Sequence, residues 1–153
     1  GERQKGNDKR MYCLFSDGEL QEGNVWEAAM FAAHQKLSNM VWIIDNNDLQ
    51  ATSRTQDVLA VEPVPEKFNS FGCFARRVDG HSIPDILAAF AEAKTITDRP
   101  YVMVLDTRIF AGIDCLEEAL PRAHYVAKHQ ADWDAGLDEI NAKIAKLEGL
   151  LAG

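Results

Sequence analysis

The chain has 153 residues, 46% of them hydrophobic, and a formal net charge of −8, with a pI near 4.9. That length and apolar content suit one domain with a real core. The acidic balance argues against nucleic acid or an anionic membrane as a partner, and no apolar run approaches bilayer length.

Residues 1–10 are polar, charged and aperiodic and read as a surface lead-in. Met11 to Phe15 is an apolar run of strand character that breaks into Ser16-Asp17-Gly18-Glu19. A helical stretch follows from Glu22 to Lys36. It is apolar nearly all round, which predicts burial on most sides, either as a central core helix or against a partner subunit. Glu22 stands at its start, where a carboxylate suits the helix dipole, and His34 stands near its end. Val41 to Asp45 is a second apolar strand, breaking into Asn46-Asn47-Asp48-Leu49-Gln50. The unit is a βαβ crossover with polar residues at the carboxyl ends of both strands, the edge where open parallel sheets bind ligands. Asp17 offers a hard carboxylate oxygen, Asn47 an amide oxygen and Leu49 a backbone carbonyl. Gly18 lets the backbone approach a phosphate closely. Few oxygen ligands beside a phosphate site describe a Mg²⁺ that keeps some waters and bridges a diphosphate.

Thr52 to Thr55 reads as a polar loop and Val58 to Val61 as a short apolar turn. Pro65 begins a short helix from Glu66 to Phe71, ended by Gly72. Cys73 to Val78 is a strand. Ser82 caps the next helix, with Asp85 in its first turn and Ile86, Leu87, Phe90, Ala91 and Lys94 at helical spacing. Tyr101 to Leu105 is a further buried strand. Such alternation predicts an α/β fold, a parallel sheet flanked by helices. His81 lies between a strand end and a helix start, as a catalytic candidate or a local hydrogen-bonding residue. Arg108 and Arg122 are candidates for an anionic group, or surface cations. Asp132 to Leu151 is an amphipathic helix expected to close on the domain. Cys13, Cys73 and Cys115 are odd in number and widely spaced, which gives no disulfide framework and no zinc spacing. With no signal-peptide pattern, a cytoplasmic protein is expected.

The run Asp17-Gly18-Glu19-Leu20-Gln21-Glu22-Gly23, the helix segment Trp26 to His34 and the stretch Asp45 to Gln50 resemble the thiamine diphosphate motif of transketolases. That motif opens Gly-Asp-Gly and ends in Asn at the separation Asp17 and Asn47 show; Ser16 replaces its first glycine. The resemblance implies the thiamine diphosphate-binding fold, with thiamine diphosphate and Mg²⁺ (or Ca²⁺) as cofactors. Asp17, Asn47 and the Leu49 carbonyl would hold the metal, and Ser16, Asp17, Gly18, Glu19, Asn47 and Leu49 would form the cofactor site. The likeness holds over 11–106. Transketolases carry a long segment before this point, so the chain is expected to lack the family's front portion.

Beyond Asp106 the likeness fades. Residues 107–131 form a divergent substrate-side loop in which Gly112 is the matching glycine, and 132–153 are the closing helix. His124 falls near the place of the family's substrate-facing histidine, followed here by Tyr125, and is a catalytic candidate with His81. The expected function is that of the diphosphate-binding subunit of a split transketolase-like enzyme. It would move a two-carbon ketol unit from a ketose to an aldehyde, beside a second subunit carrying the pyrimidine-binding and C-terminal domains. Three alternatives stand: a 2-oxo acid dehydrogenase or decarboxylase subunit, a specialised carbon–carbon bond-forming synthase subunit, and a non-catalytic subunit that kept the fold.

Overall fold

The structure, a computed structural model, describes residues 5–120 and 129–151. It divides into two compact units, Gly1–Thr107 and Arg108–Gly153.

In the first unit β1 (Met11–Ser16), β2 (Met40–Asn46), β3 (Phe74–Asp79) and β4 (Tyr101–Asp106) form a parallel sheet in the order β1-β2-β4-β3. The central strands β2 and β4 are nearly continuous apolar runs because both of their faces are covered. Alternate residues divide between two cores. Trp42, Ile44, Val102 and Val104 pack with α1 (Gly23–His34) and α3 (Val64–Ser70). Val41, Tyr101 and Met103 pack with Ala89 and Ala93 of α4 (Ile83–Thr95). Right-handed crossovers produce this division, since the chain steps one way along the sheet through α1 and α3 and back through α4.

Local signals set the helix ends. Pro65 lies in the first turn of α3, and Gly72 follows its end with φ of 96°. Ser82 Oγ accepts the Asp85 N–H at 3.3 Å to cap α4. The segment expected as a polar loop and apolar turn contains a helix, α2 (Thr55–Leu59). The Leu49–Arg54 bridge starts it, with Gln50 N–H on Ser53 O and Thr55 N–H on Asp48 O. On α4 the buried stripe is Ala89 and Ala93, flanked by Ile86 and Phe90; Leu87 falls outside it and is exposed.

The helix α1 departs from the expected all-round burial. Val25, Ala29 and Ala32 face the core, one stripe at a spacing of three to four. Glu27, Met30 and Phe31 are exposed. Within this chain it is therefore a surface helix with an apolar outer face, not a central core helix. Edge strand β1 likewise exposes Leu14, while Tyr12 meets the Phe90 ring edge-on at 5.9 Å.

In the second unit α5 (Asp114–Glu118) packs with α6 (Gln130–Leu151). Gly136 is buried because Leu116 lies against it; a Cβ there would meet Leu116 Cδ1 at 2.7 Å. The Phe110 and Trp133 rings meet edge to face at 5.3 Å. Leu137, Ile144, Leu147 and Leu151 of the amphipathic face are exposed, and α5 is the packing partner of this helix within its own unit. The Glu139 carboxylate accepts the Asp114 and Cys115 N–H groups at 2.8 and 2.9 Å, satisfying the first turn of α5. Those bonds, above all the one to the Cys115 N–H, and the Lys143 ammonium hold its pKa down from 4.5 to about 2. A depressed carboxylate pKa contributes stability above the unfolded value and loses it as pH falls through the folded one. The Asp114 and Cys115 amides should therefore keep full exchange protection above pH 4.5 and lose it toward pH 2. In Glu139→Gln that acid step should vanish; a step that persists in this variant would assign it to another group.

Candidate active site

The carboxyl ends of β1 and β2 bring the two polar clusters together. Asp17 follows β1 directly, and its N–H donates to the Asp45 carbonyl at 3.0 Å, extending the β1–β2 pairing by one residue. The chain then turns into a 3₁₀ helix, Gly18–Gln21, and Asp17 Oδ1 accepts the Gly18 N–H at 2.7 Å. The Asp17 side chain is turned inward and is 1% exposed. Its partners are neutral donors: the Thr55 hydroxyl and the Gly18 and Asp48 N–H groups. Burial pushes its pKa up against them, and the neighbouring Asp45 charge adds to the rise. Among the described residues no Lys or Arg pairs with it. A buried carboxylate beside a second acid, without a counter-charge, is costly unless a cation joins it.

Other atoms around Asp17 favour a hard cation with its waters. Thr55 Oγ1 and Gln50 Oε1 are buried without a partner at full hydrogen-bonding geometry, although the Thr55 hydroxyl lies close enough to the carboxylate to restrain its pKa. A cavity of about 300 Å³ opens here, lined by Asp17, Asn46, Asp48, Thr55, Val61 and Glu62. Gly18 closes against Gln50: a Cβ would stand 3.0 Å from Gln50 Cβ, so a side chain at position 18 would crowd the site.

The second cluster is a tight turn. Asn47 Oδ1 accepts the Leu49 N–H at 2.9 Å and Asn47 Nδ2 donates to Asp45 Oδ2 at 2.7 Å. Asp48 supports the turn with a positive φ of 58° and an ion pair to Arg54 at 2.9 Å. One lone pair remains on the Asn47 oxygen, and the Leu49–Arg54 ladder leaves the Leu49 carbonyl unused. Asp17, Asn47 and Leu49 thus offer three oxygens of the kind Mg²⁺ takes.

Ser16 and Glu19 turn to each other. Glu19 N–H donates to Ser16 Oγ at 3.2 Å, and Ser16 N–H to Glu19 Oε2 at 3.4 Å. This reciprocal capping box explains how serine serves the turn in place of glycine. His81 is exposed in the loop after β3, its N–H on Asp79 Oδ1 at 2.9 Å. It shares the carboxyl edge, but β3 lies three strand spacings from β1, roughly 14 Å. The structure does not bring it beside Asp17. His124 and Arg122 lie outside the described residues. Arg108 faces Glu117 at 3.6 Å.

Sequence reasoning missed a polar lattice along the same edge. Arg77 of β3 bridges Glu62 and Asp106. Asn46 Nδ2 donates to Asp106 at 3.1 Å and to Glu62 at 3.4 Å. The Thr107 hydroxyl donates to Asp45. The signal was present in part: these residues stand at strand ends, but their meeting depends on the β2-β4-β3 order.

A sequence profile described as "Transketolase, thiamine diphosphate binding domain" matches residues 2–141. The chain belongs to the transketolase family. It is 37% identical over 143 residues to a transketolase family protein of Sinorhizobium fredii, covering 93% of this chain and 51% of that one. It is 32% identical over 130 residues to the 6-deoxy-6-sulfo-D-fructose transketolase subunit of a Clostridium species, covering 85% and 47%. The chain spans about half the length of these curated relatives. The solved transketolase of Pichia stipitis with sedoheptulose 7-phosphate superposes with a TM-score of 0.60 at 33% identity, over 64% of this chain and 15% of that one. The parallel sheet with helices on both faces is therefore the thiamine diphosphate-binding domain of a transketolase-family protein, and the Asp17 and Asn47 clusters lie at the ligand-binding edge of that sheet.

Proposed function

We propose that this chain supplies the diphosphate and metal half of a thiamine diphosphate-dependent transketolase, which moves a two-carbon ketol unit from a ketose donor to an aldehyde acceptor. The buried, uncompensated Asp17 carries this reading. Asp17, Asn47 and the Leu49 carbonyl would hold Mg²⁺ (or Ca²⁺), and Gly18, without a side chain, would let the backbone approach the diphosphate. Thiamine diphosphate, when bound, supplies the carbanion chemistry; the residues here bind and orient it. The capping box of Ser16 and Glu19 keeps the turn that presents Asp17 in shape.

The pyrimidine-binding half would come from a second polypeptide, as the subunit name of the Clostridium relative supports. The exposed Met30 and Phe31 of α1 offer an apolar surface for such a partner. The free cysteines fit a reducing cytoplasm. The compounds named with the relatives, 6-deoxy-6-sulfo-D-fructose and sedoheptulose 7-phosphate, are both ketoses, which favours a ketose donor here. His81 and His124 are candidates for the substrate side rather than for the metal.

The purified assembly should turn over hydroxypyruvate or a ketose phosphate with an aldehyde acceptor. Turnover of pyruvate without ketol transfer would move the protein to the 2-oxo acid class. A complex that holds no cofactor would mark a non-catalytic subunit.

A further inference from the structure

Asp45 is the last β2 residue but one, and both of its carboxylate oxygens are engaged. One accepts Asn47 Nδ2 at 2.7 Å and the other accepts the Thr107 hydroxyl. Asn47 Oδ1 accepts the Leu49 N–H at 2.9 Å. These partners fix the Asn47 amide without ambiguity. A carboxylate only accepts, so the NH₂ must face Asp45; an N–H only donates, so the oxygen must face Leu49. Thr107 is itself confined. Its N–H donates to the Asn46 carbonyl at 3.3 Å, and its methyl packs so close to Gly80 that a Cβ there would stand 2.3 Å away.

We propose that Asp45, braced by Thr107, is a positioning residue of the metal site. It holds the Asn47 nitrogen so that the oxygen is the atom presented to the ion. It also places a second negative charge near Asp17, while its own two oxygens face Asn47 Nδ2 and the Thr107 hydroxyl. This inference rests on the metal reading of Asp17, Asn47 and Leu49. Partners of this kind fix a ligand's orientation and tune its affinity from outside the coordination shell.

The test is Mn²⁺ binding to the assembled enzyme with thiamine diphosphate present, read from the electron paramagnetic resonance signal of free Mn²⁺. Asp45→Asn should weaken Mn²⁺ binding by about 10- to 100-fold. Thr107→Val keeps the shape and removes the hydroxyl, and should weaken binding to a smaller extent. Thr107→Ser restores the hydroxyl and should bind like wild type, a rescue that a purely packing role for Thr107 would not give. The Thr107 pair carries the test if Asp45→Asn does not fold. Wild-type Mn²⁺ affinity in Asp45→Asn and Thr107→Val, with affinity lost in Asn47→Ala, would overturn this inference and leave the metal site standing. Wild-type affinity in Asn47→Ala and Asp17→Ala as well would overturn both.

Discussion

Asp17→Asn should lose metal-dependent retention of thiamine diphosphate while its metal-free fold stays at least as stable as wild type. The two halves of this result have one cause. Burial raises the Asp17 pKa, so the folded state disfavours the carboxylate form. An acid whose folded pKa is raised has its stabilisation at low pH and loses it as pH rises from the unfolded value of 3.8 through the folded one. At neutral pH the raised pKa therefore costs the metal-free fold stability, and a neutral isostere removes that cost. With cation and diphosphate present the balance reverses, because the carboxylate is the one charged ligand among the three oxygens. Losing it should weaken cofactor retention beyond the roughly 100-fold that losing an outer partner costs. Thermal melts without metal and retention by gel filtration with Mg²⁺ would read both halves. A metal-free variant clearly less stable than wild type would mean that the carboxylate's hydrogen bonds outweigh its burial.

Phe68→Ala should be among the most damaging changes in the first unit, costing about 3–5 kcal/mol, the range for a buried aromatic truncated to alanine. Phe68 is fully buried on α3 between two indoles, 5.1 Å from Trp26 of α1 and 5.6 Å from Trp42 of β2. It joins both helices to one face of the sheet. Trp26 carries the effect toward the site, since its Nε1–H donates to the Leu20 carbonyl at 2.8 Å, in the turn that follows Asp17. Cofactor retention should thus fall with stability. Urea unfolding gives the magnitude, with exposed Leu87→Ala as the control expected within about 0.5 kcal/mol of wild type. Equal effects for the two variants would place the core elsewhere.

The readable parts of the sequence were those whose signal is local. Apolar runs over Met11–Phe15, Val41–Asp45 and Tyr101–Leu105 mark β1, β2 and β4 to within a residue at each end, and in the central β2 and β4 the run is unbroken because both faces are covered. Proline, glycine and serine marked the ends of α3 and α4. Asp17, Gly18 and Asn47 were legible because motif spacing places them at adjacent strand ends. What stayed hidden depends on strand order. Thr107 reaches Asp45, and Arg77 reaches Asp106, because β4 lies between β2 and β3. Thr55 reads as a loop residue until the Leu49–Arg54 bridge folds its segment onto Asp17. The apolar character of α1 is legible in its sequence, but not whether it faces a core or a partner; within this chain Met30 and Phe31 lie at the surface.

The most direct test of the account is the native mass of the assembly, purified with Mg²⁺ and thiamine diphosphate and repeated with Asp17→Asn. The expected result is a complex of unlike chains that carries one cofactor and one metal ion per copy of this chain in the wild type and neither in the variant. A wild-type complex without cofactor, or a variant that holds it as tightly, would contradict the assignment of Asp17 as the centre of the site.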